Sequence, residues 1–284
     1  MPLANAKDLL MNAEKGGYAV GAFNCTNMEI LQAIVGAAEE MEAPVIVQAS
    51  QGAIKYAGLE YIAALAKTAA EMSKVPIAIH LDHGTSFEQV IKCIRFGFTS
   101  VMFDGSMLPF EENIARTAEV VKAAGAVGVS VEGELGRIGG TEDDVSVKKG
   151  EEFFTDPDEA AVFVEKTGVD FLAVAVGTAH GKYKGVPKLN FELLAEIHKK
   201  VGIPLVLHGS SGLPGEDIKK AVSLGVRKVN IDTDLREAFV EGMKKALQKH
   251  PGEIDPRKIL GPARDKMKEI VKEKINFLSC AGAI

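Results

Sequence analysis

Three histidines, each followed directly by glycine, stand at the ends of separate apolar runs and could together bind a metal ion. They are His83 in IHLDHG, His180 in VGTAHG and His208 in PLVLHG. Imidazoles that converge from separate segments suit a borderline divalent metal, Zn²⁺ first, with one coordination position left open for substrate. Spacing alone leaves the alternative open that each is a hydrogen-bonded core or loop residue, because no two of them form an HxxxH pair on one helix.

The first of these motifs also contains a carboxylate that could transfer protons. Asp82 directly precedes His83, and His80 lies two residues before Asp82. In a strand, His80 and Asp82 share one face, whereas His83 is free to turn inward where the strand breaks into Gly84. We therefore predict that His83 is the ligand, that Asp82 is the proton carrier beside it, and that His80 is a supporting residue held by hydrogen bonds.

Strands that alternate with helices must position these residues. Apolar runs rich in Val, Ile, Ala and Phe recur between longer stretches whose apolar residues fall at i, i+3, i+4 and i+7. The pattern predicts eight strands, near residues 20–24, 44–50, 75–83, 100–104, 127–134, 171–177, 204–209 and 226–232. Helix starts are predicted at residues 26–28, 156–157 and 213–215. Gly97, Gly168 and Gly225 are placed to end helices in a left-handed turn.

Eight strand–helix units in 284 residues predict a closed (β/α)8 barrel, with residues 1–284 forming a single catalytic domain. A helix near residues 5–15 and a helical extension over about residues 255–284 would be additions to the barrel. A doubly wound open sheet is the alternative, which the lack of GxGxxG after the first strand disfavours. Barrel chemistry gathers at the carboxyl ends of strands, which here carry Asn24, Ser50, Asp82, His83, Asp104, Glu132, Glu134, His180, His208, Asn230, Asp232 and Thr233.

The composition excludes several classes of partner. A net charge of −6 argues against a nucleic-acid partner, because nucleic-acid-binding domains usually carry a basic surface. The chain contains no stretch of about 18 uninterrupted apolar residues and its amino terminus has no signal-peptide pattern, so we expect a cytoplasmic protein without a membrane partner. Cys25, Cys93 and Cys280 lack CxxC spacing, and we expect them to be reduced.

Six motifs, in this order and at these spacings, resemble the class II (metal-dependent) fructose-bisphosphate aldolases, a family that also includes the tagatose-bisphosphate aldolases. They are HLDHG, SVMFDGS, VEGELGRIGGTEDDV, AVGTAHGKYKG, LVLHGSSG and VNIDTDLREAF. The resemblance extends from Asn24 to the DPRKILGPA segment at residues 255–263. It implies a zinc-dependent, reversible cleavage of a ketose 1,6-bisphosphate to dihydroxyacetone phosphate and glyceraldehyde 3-phosphate.

The resemblance also implies roles for individual residues. It assigns zinc to His83, His180 and His208, exchange of the C4 hydroxyl proton to Asp82, and a second or displaced metal position to Asp104 and Glu134. Glu142 would deliver the second proton from a mobile lid over residues 136–155. We expect Glu132, on the same strand face as Glu134, to form supporting hydrogen bonds.

Substrate contacts follow from the same resemblance. Dihydroxyacetone phosphate would be bound by Gly181, Gly209, Ser210, Ser211, Asn230, Ile231, Asp232 and Thr233. Asn24 and Ser50 match substrate-binding positions, and Arg257 matches an arginine that reaches the C6 phosphate from a partner subunit in some relatives. A homodimer or homotetramer is therefore expected. A monovalent cation, Na⁺ or K⁺, is common near the phosphate in this family.

The chemistry favours a metal over a lysine. Cleavage between C3 and C4 leaves a carbanion that needs an electron sink, either a Schiff base or a Lewis acid on the carbonyl oxygen. No lysine is predicted inside an apolar strand in the required way, and Lys228, the nearest candidate, lies upstream of its strand's end. The NIDTDLR and DPRKILGPAR segments resemble the fructose enzymes of this family more than the tagatose enzymes, which implies fructose 1,6-bisphosphate as the substrate. A metal-dependent barrel hydrolase and a non-catalytic barrel subunit remain alternatives.

Overall fold

The backbone closes eight parallel strands into a barrel surrounded by helices, as the sequence predicts. The computed structural model describes residues 3–142, 145–147, 153–181, 183, 185 and 187–284. Its strands are β1 (Val20–Asn24), β2 (Val45–Ser50), β3 (Ile77–Gly84), β4 (Ser100–Phe103), β5 (Ser130–Leu135), β6 (Gly139–Glu142), β7 (Val145–Val147), β8 (Phe171–Val174), β9 (Ala179–His180), β10 (Leu205–Leu207) and β11 (Val226–Ile231). The barrel order is β1-β11-β10-β8-β5-β4-β3-β2, which rules out the open sheet.

Helices cover the barrel and extend it at both ends of the chain. They are α1 (Ala6–Gly16), α2 (Met28–Glu40), α3 (Gln51–Ala57), α4 (Leu59–Met72), α5 (Phe87–Arg95), α6 (Phe110–Gly125), α7 (Pro157–Thr167), α8 (Phe191–Val201), α9 (Gly215–Ser223), α10 (Thr233–Lys249) and α11 (Pro256–Phe277). The predicted amino-terminal and carboxy-terminal additions correspond to α1 and α11. None of the helices in the described part of the chain combines the length and apolarity that crossing a bilayer requires.

The predicted helix signals act as expected. The Asn27 side chain accepts a hydrogen bond from the Ile30 amide at 2.9 Å, which caps α2. The Asp156 side chain caps α7 in the same way, with proline at the first helical position. Gly97, Gly168 and Gly225 have φ values of 90°, 70° and 106°, in the left-handed region that glycine adopts without steric cost. Local sequence therefore sets where these helices begin and end.

Two predicted strand boundaries are wrong, for local reasons. The strand predicted from residue 127 begins at Ser130, because the Val129 amide still bonds to the Ala124 carbonyl in the turn that ends α6. The strand predicted over 171–177 ends at Val174. There the Ala175 amide donates to the Thr155 hydroxyl at 2.8 Å instead of to a neighbouring strand.

Helix α1 seals the amino-terminal end of the barrel. Its buried residues form one apolar cluster with the first inward-facing residues of several strands. The cluster comprises Ala6, Leu9, Leu10, Ala13, Val20, Ala22, Ile46, Ala78, Phe171, Ala173 and Val206. A second, larger apolar core lies between the strands and the surrounding helices. The barrel interior is thus closed to water from below, and the polar residues of the strands lie above this plug.

The segment predicted to be a lid is partly ordered as strands. β6 and β7 pair antiparallel, and β6 also pairs parallel with β9, which carries His180. The chain after β5 is therefore attached by backbone hydrogen bonds to one of the three histidine-bearing segments. Glu142 ends β6, and its side chain lies outside the described part of the protein.

Candidate active site

The end of β3 bends so that two consecutive side chains can enter the barrel mouth. His83 has φ of +47°, a left-handed conformation that is uncommon for a residue with a side chain. The strand register against β4 shifts between Leu81 and Gly84. A β-bulge of this kind redirects one residue, which explains how Asp82 and His83 can both line the site. The left-handed residue costs about 1–3 kcal/mol, a cost often found at functional sites.

Three buried histidines converge at this mouth. The ring centroid of His83 lies 4.8 Å from that of His208 and 5.2 Å from that of His180. Their ligand atoms all lie within 4.8 Å of one another, close enough to share one metal ion. The sequence suggests that these three histidines are ligands, and the barrel fold brings them together from the ends of β3, β9 and β10.

Carboxylates orient two of these imidazoles. Nδ1 of His83 lies 2.8 Å from Oδ2 of Asp104, and Nε2 of His208 lies 2.8 Å from Oε1 of Glu132. A carboxylate on one ring nitrogen fixes the tautomer and leaves the lone pair of the other nitrogen for a metal. Nδ1 of His208 is buried and has no hydrogen-bond partner among the described residues. This donor set fits a divalent metal such as Zn²⁺.

A second group of possible ligands surrounds the other side of His83. His83, Asp104 and Glu134 also bring ligand atoms within 4.8 Å of one another. Oε2 of Glu134 lies 4.0 Å from Nδ1 of His83 and 3.5 Å from Nδ1 of His208. Asp104 is further bound by the amide and hydroxyl of Ser106, at 3.0 and 2.7 Å. The two groups share His83, so an ion could occupy either of two neighbouring positions.

Amide side chains hold Asp82. Nδ2 of Asn24 and Nε2 of Gln48 lie 3.1 and 3.2 Å from Oδ2, and Nδ2 of Asn230 lies 3.1 Å from Oδ1. Three N–H donors stabilise the ionised carboxylate, which must be the form that accepts a proton. Sequence reasoning missed Gln48, although a glutamine inside the apolar strand VIVQAS was a usable signal.

Below Asp82 lies a charged network that the sequence analysis only partly predicted. Glu132 contacts His208, as expected for a supporting residue, and its Oε2 lies 3.3 Å from Nε2 of His80. His80 is further held by the Ser100 hydroxyl at 2.7 Å. Lys228, which the sequence places upstream of its strand's carboxyl end, lies within β11 and is completely buried, with Nζ 2.8 Å from Oε2 of Glu132. Its carboxylate partner explains how the strand tolerates an ammonium.

Burial and pairing set the protonation of this network. Burial lowers the pKa of His80 to about 4, and burial also lowers the pKa of His208, so both rings are neutral near pH 7. Burial raises the pKa of Asp104, but its electrostatic contact with His83 and its hydrogen bonds with His83 and Ser106 outweigh burial and lower the value to about 2. Burial likewise raises the pKa of Glu132, yet Lys228, His208 and His80 hold it well below its usual range. Neutral imidazoles and ionised carboxylates are the forms that bind metal cations.

The predicted phosphate loops lie beside the histidines. Gly209 has φ of +62°, and an added Cβ would lie 2.5 Å from the Ala179 carbonyl oxygen, so only glycine fits there. The Ser210 hydroxyl donates to the Asn230 carbonyl at 2.5 Å, and the Ser211 hydroxyl accepts from the Asp234 amide at 3.4 Å. These bonds fasten the loop after β10 to the end of β11. The arrangement presents backbone amides near the start of α10, where an anion can bind.

The remaining predicted residues are placed as follows. Gly181 has φ of +83° directly after His180, Ile231 is buried at the end of β11, and Thr233 is the first residue of α10. Asp232 forms an ion pair with Arg236 at 2.6 Å. The Ser50 hydroxyl caps α3 by accepting from the Ala53 amide at 3.3 Å. The Arg257 side chain is 90% exposed and forms an ion pair with Asp255. Within the described part of the chain it therefore does not join the histidine cluster.

Comparisons with known proteins agree with this geometry. The profile of the family Fructose-bisphosphate aldolase class-II matches residues 4–283. The chain is 48% identical to a fructose-bisphosphate aldolase of Thermus caldophilus over 99% of each chain, and 46% identical to a sulfofructosephosphate aldolase of Alkalicoccus urumqiensis over 97% of this chain and 96% of the relative. The crystal structure of the YdjI aldolase from Escherichia coli K12 has a TM-score of 0.87 at 36% identity, over 99% of this chain and 98% of that chain. The chain therefore belongs to the class II fructose-bisphosphate aldolase family, whose members are lyases that generally depend on a metal ion.

Proposed function

We propose that this protein is a zinc-dependent aldolase that reversibly cleaves fructose 1,6-bisphosphate to dihydroxyacetone phosphate and glyceraldehyde 3-phosphate in glycolysis and gluconeogenesis. The observation that carries the proposal is the convergence of three buried imidazoles beside a carboxylate held by three amides. Zn²⁺ bound by His83, His180 and His208 would polarise the substrate carbonyl as a Lewis acid and so supply the electron sink that the carbanion needs.

Asp82 is the base in this proposal. During cleavage its carboxylate accepts the proton of the C4 hydroxyl, and in condensation it returns that proton. Its amide donors fix its orientation, and the nearest nitrogen of His83 is 4.0 Å away, so the base lies beside the proposed metal site. The second proton, which must reach C3, is assigned to Glu142. Its support is the pairing of β6 with β9, since that pairing brings the backbone of the loop to the strand of His180.

Substrate binding divides between the two phosphates. Gly181, Gly209 to Ser211 and Asn230 to Thr233 bind the triose phosphate end, largely through backbone amides and hydroxyls. Neutral donors allow a chain with net charge −6 to bind a doubly phosphorylated sugar. Asn24 and Ser50 contribute to the substrate side of the pocket, and a monovalent cation would offset phosphate charge. Arg257, exposed here, would reach the distal phosphate across an interface in a homodimer or homotetramer.

The candidate substrates differ in two features: the group at the end of the sugar far from the triose phosphate, and the configuration at C4. Fructose and tagatose bisphosphates differ only at C4, where Asp82 acts, and the Alkalicoccus relative is named for a sulfonated sugar phosphate. The NIDTDLR and DPRKILGPAR segments resemble those of the fructose enzymes, and this resemblance supports fructose 1,6-bisphosphate. Three buried cysteines without disulfides support a reducing compartment, and we assign the enzyme to the cytoplasm.

One coupled assay tests the proposal. The purified protein is given fructose 1,6-bisphosphate, tagatose 1,6-bisphosphate or 6-deoxy-6-sulfofructose 1-phosphate, with and without EDTA, and triose phosphate is measured. We expect the highest kcat/KM with fructose 1,6-bisphosphate, loss of turnover with EDTA and recovery with Zn²⁺. A preference for either other sugar would change the substrate and keep the chemistry. Turnover that resists EDTA, ester hydrolysis in place of cleavage, or no turnover of any substrate would contradict the proposal.

A further inference from the structure

We propose that Lys228 is a positioning residue, which fixes both the Asn230 amide that holds the base Asp82 and the Glu132 carboxylate that orients the metal ligand His208. The inference rests on the proposed function and adds a residue that lies one layer below the reacting atoms. Lys228 is completely buried, and its ammonium lies 2.6 Å from Oδ1 of Asn230 and 2.8 Å from Oε2 of Glu132.

The first effect of Lys228 is on Asn230. An ammonium can only donate hydrogen bonds, so the oxygen of the Asn230 amide must face Lys228. The NH₂ group must then face the other way, where it donates to Oδ1 of Asp82 at 3.1 Å. Without Lys228, a flipped amide would place an oxygen against the Asp82 carboxylate. Lys228 thus selects the amide orientation in which Asn230 donates to the Asp82 carboxylate.

The second effect is on Glu132 and His208. The two oxygens of Glu132 divide their contacts: Oε2 lies 2.8 Å from Nζ of Lys228, and Oε1 lies 2.8 Å from Nε2 of His208. Because Oε2 lies against the Lys228 ammonium, Oε1 is the oxygen that accepts from His208, so Nε2 of His208 carries the hydrogen and Nδ1 keeps its lone pair. Nδ1 is the buried nitrogen with no hydrogen-bond partner among the described residues. Lys228 therefore fixes the hydrogen bonding of both the base Asp82 and the metal ligand His208.

The neighbouring residue provides a matched control. Arg227 is also a buried cation in β11, at 6% exposure, and its Nε lies 2.7 Å from Glu14 of α1. By strand alternation it points to the opposite side of β11, away from the barrel interior. Arg227→Met and Lys228→Met each remove a buried cation that pairs with a glutamate. Only Lys228→Met should affect the site.

The test compares the zinc-loaded wild type, Arg227→Met, Lys228→Met and the double variant Lys228→Met/Glu132→Gln. For each, kcat and KM, melting temperature and Zn²⁺ affinity by chelator competition are measured. We expect Lys228→Met to lower kcat at least about 100-fold with KM within about threefold, and to weaken Zn²⁺ binding about 10- to 100-fold. Arg227→Met should lower the melting temperature alone.

The double variant separates the two effects and guards against misfolding. Glutamine removes the unpaired charge yet can still accept from His208, so we expect the melting temperature and most of the Zn²⁺ affinity to recover while kcat stays low. Equal kcat losses in Lys228→Met and Arg227→Met, or full kcat recovery in the double variant, would overturn the proposal. So would a borohydride-trapped substrate adduct that Lys228→Met abolishes, because Lys228 would then be a nucleophile. A wild type that binds Zn²⁺ but does not catalyse aldol cleavage would refute the proposed function. The Zn²⁺ affinities of the variants would still test whether Lys228 acts on His208 through Glu132.

Discussion

The lower and upper halves of the barrel interior are built by the same strands and have opposite characters. The first inward-facing residues, such as Val20, Ile46 and Ala78, belong to the apolar cluster closed by α1. Two to four residues further along the same strands lie Asn24, Gln48 and Asp82, which are joined by hydrogen bonds. Apolar burial in the lower half stabilises the fold, whereas the upper half buries polar groups that cost free energy unless paired.

This difference teaches where substitutions should affect stability and where they should affect chemistry. Apolar packing determines the structure of the lower half, and hydrogen bonds determine that of the upper half. The network of Lys228, Glu132 and His80 lies at the boundary between the two halves. Substitution above the boundary should change metal binding or turnover, and substitution below it should change the free energy of unfolding.

The largest effect is expected from His83→Ala, compared with His80→Ala three residues earlier. Loss of the His83 imidazole removes one of three candidate ligands, so we expect Zn²⁺ to be lost and kcat to fall at least about 10³-fold. His80→Ala should retain Zn²⁺, since His80 bonds to Ser100 and Glu132. Metal content after desalting and kcat measure both outcomes. If His80→Ala stripped the metal and His83→Ala did not, the assignment of the two histidines would be reversed.

Asp82→Ala should lower kcat about 10²- to 10⁴-fold, the usual contribution of a positioned acid or base. The zinc content should stay at the wild-type level, because Asp82 lies 4.0 Å from the nearest nitrogen of His83 and is held by amides. Single-turnover measurements with metal analysis on the same sample test this. Retained turnover would move the base to another residue.

The sequence predicts most of the fold and the residue types of the site. The eight barrel strands follow from the apolar periodicity, and several helix ends follow from local signals such as Asn27, Asp156 and Gly168, whereas the short strands β6, β7 and β9 were not predicted. The pairing of β6 with β9 and the burial of Lys228 could not be read from the sequence, because they depend on residues far apart in the chain. Gln48 was overlooked because its partners lie on two other strands.

The pH dependence of stability tests the network of Lys228, Glu132 and His80 at the boundary between the two halves. Burial lowers the pKa of His80 from 6.5 to about 4, so the unfolded chain binds this proton more readily than the native protein does. The stability that His80 contributes is therefore present above pH 6.5 and is lost as pH falls toward 4, by about 3 kcal/mol. Urea unfolding of the metal-free protein should show this loss, and His80→Gln should make the dependence shallower. Parallel curves for the two proteins would show that His80 is not the titrating group.

The smallest effects come from a pair on β2 that spans the two halves, Ile46 and Gln48. Ile46→Val removes one methyl group from the apolar plug, so the free energy of unfolding should fall by about 0.5–1.5 kcal/mol with kcat unchanged. Gln48→Met keeps the side-chain length but removes one N–H donor to Asp82, so kcat should fall about tenfold with a smaller change in stability. Urea unfolding and steady-state kinetics on both variants decide the matter. If Ile46→Val lowered kcat as much as Gln48→Met did, packing in the plug would control the geometry of Asp82, and the two halves of the barrel would have to be treated as one unit.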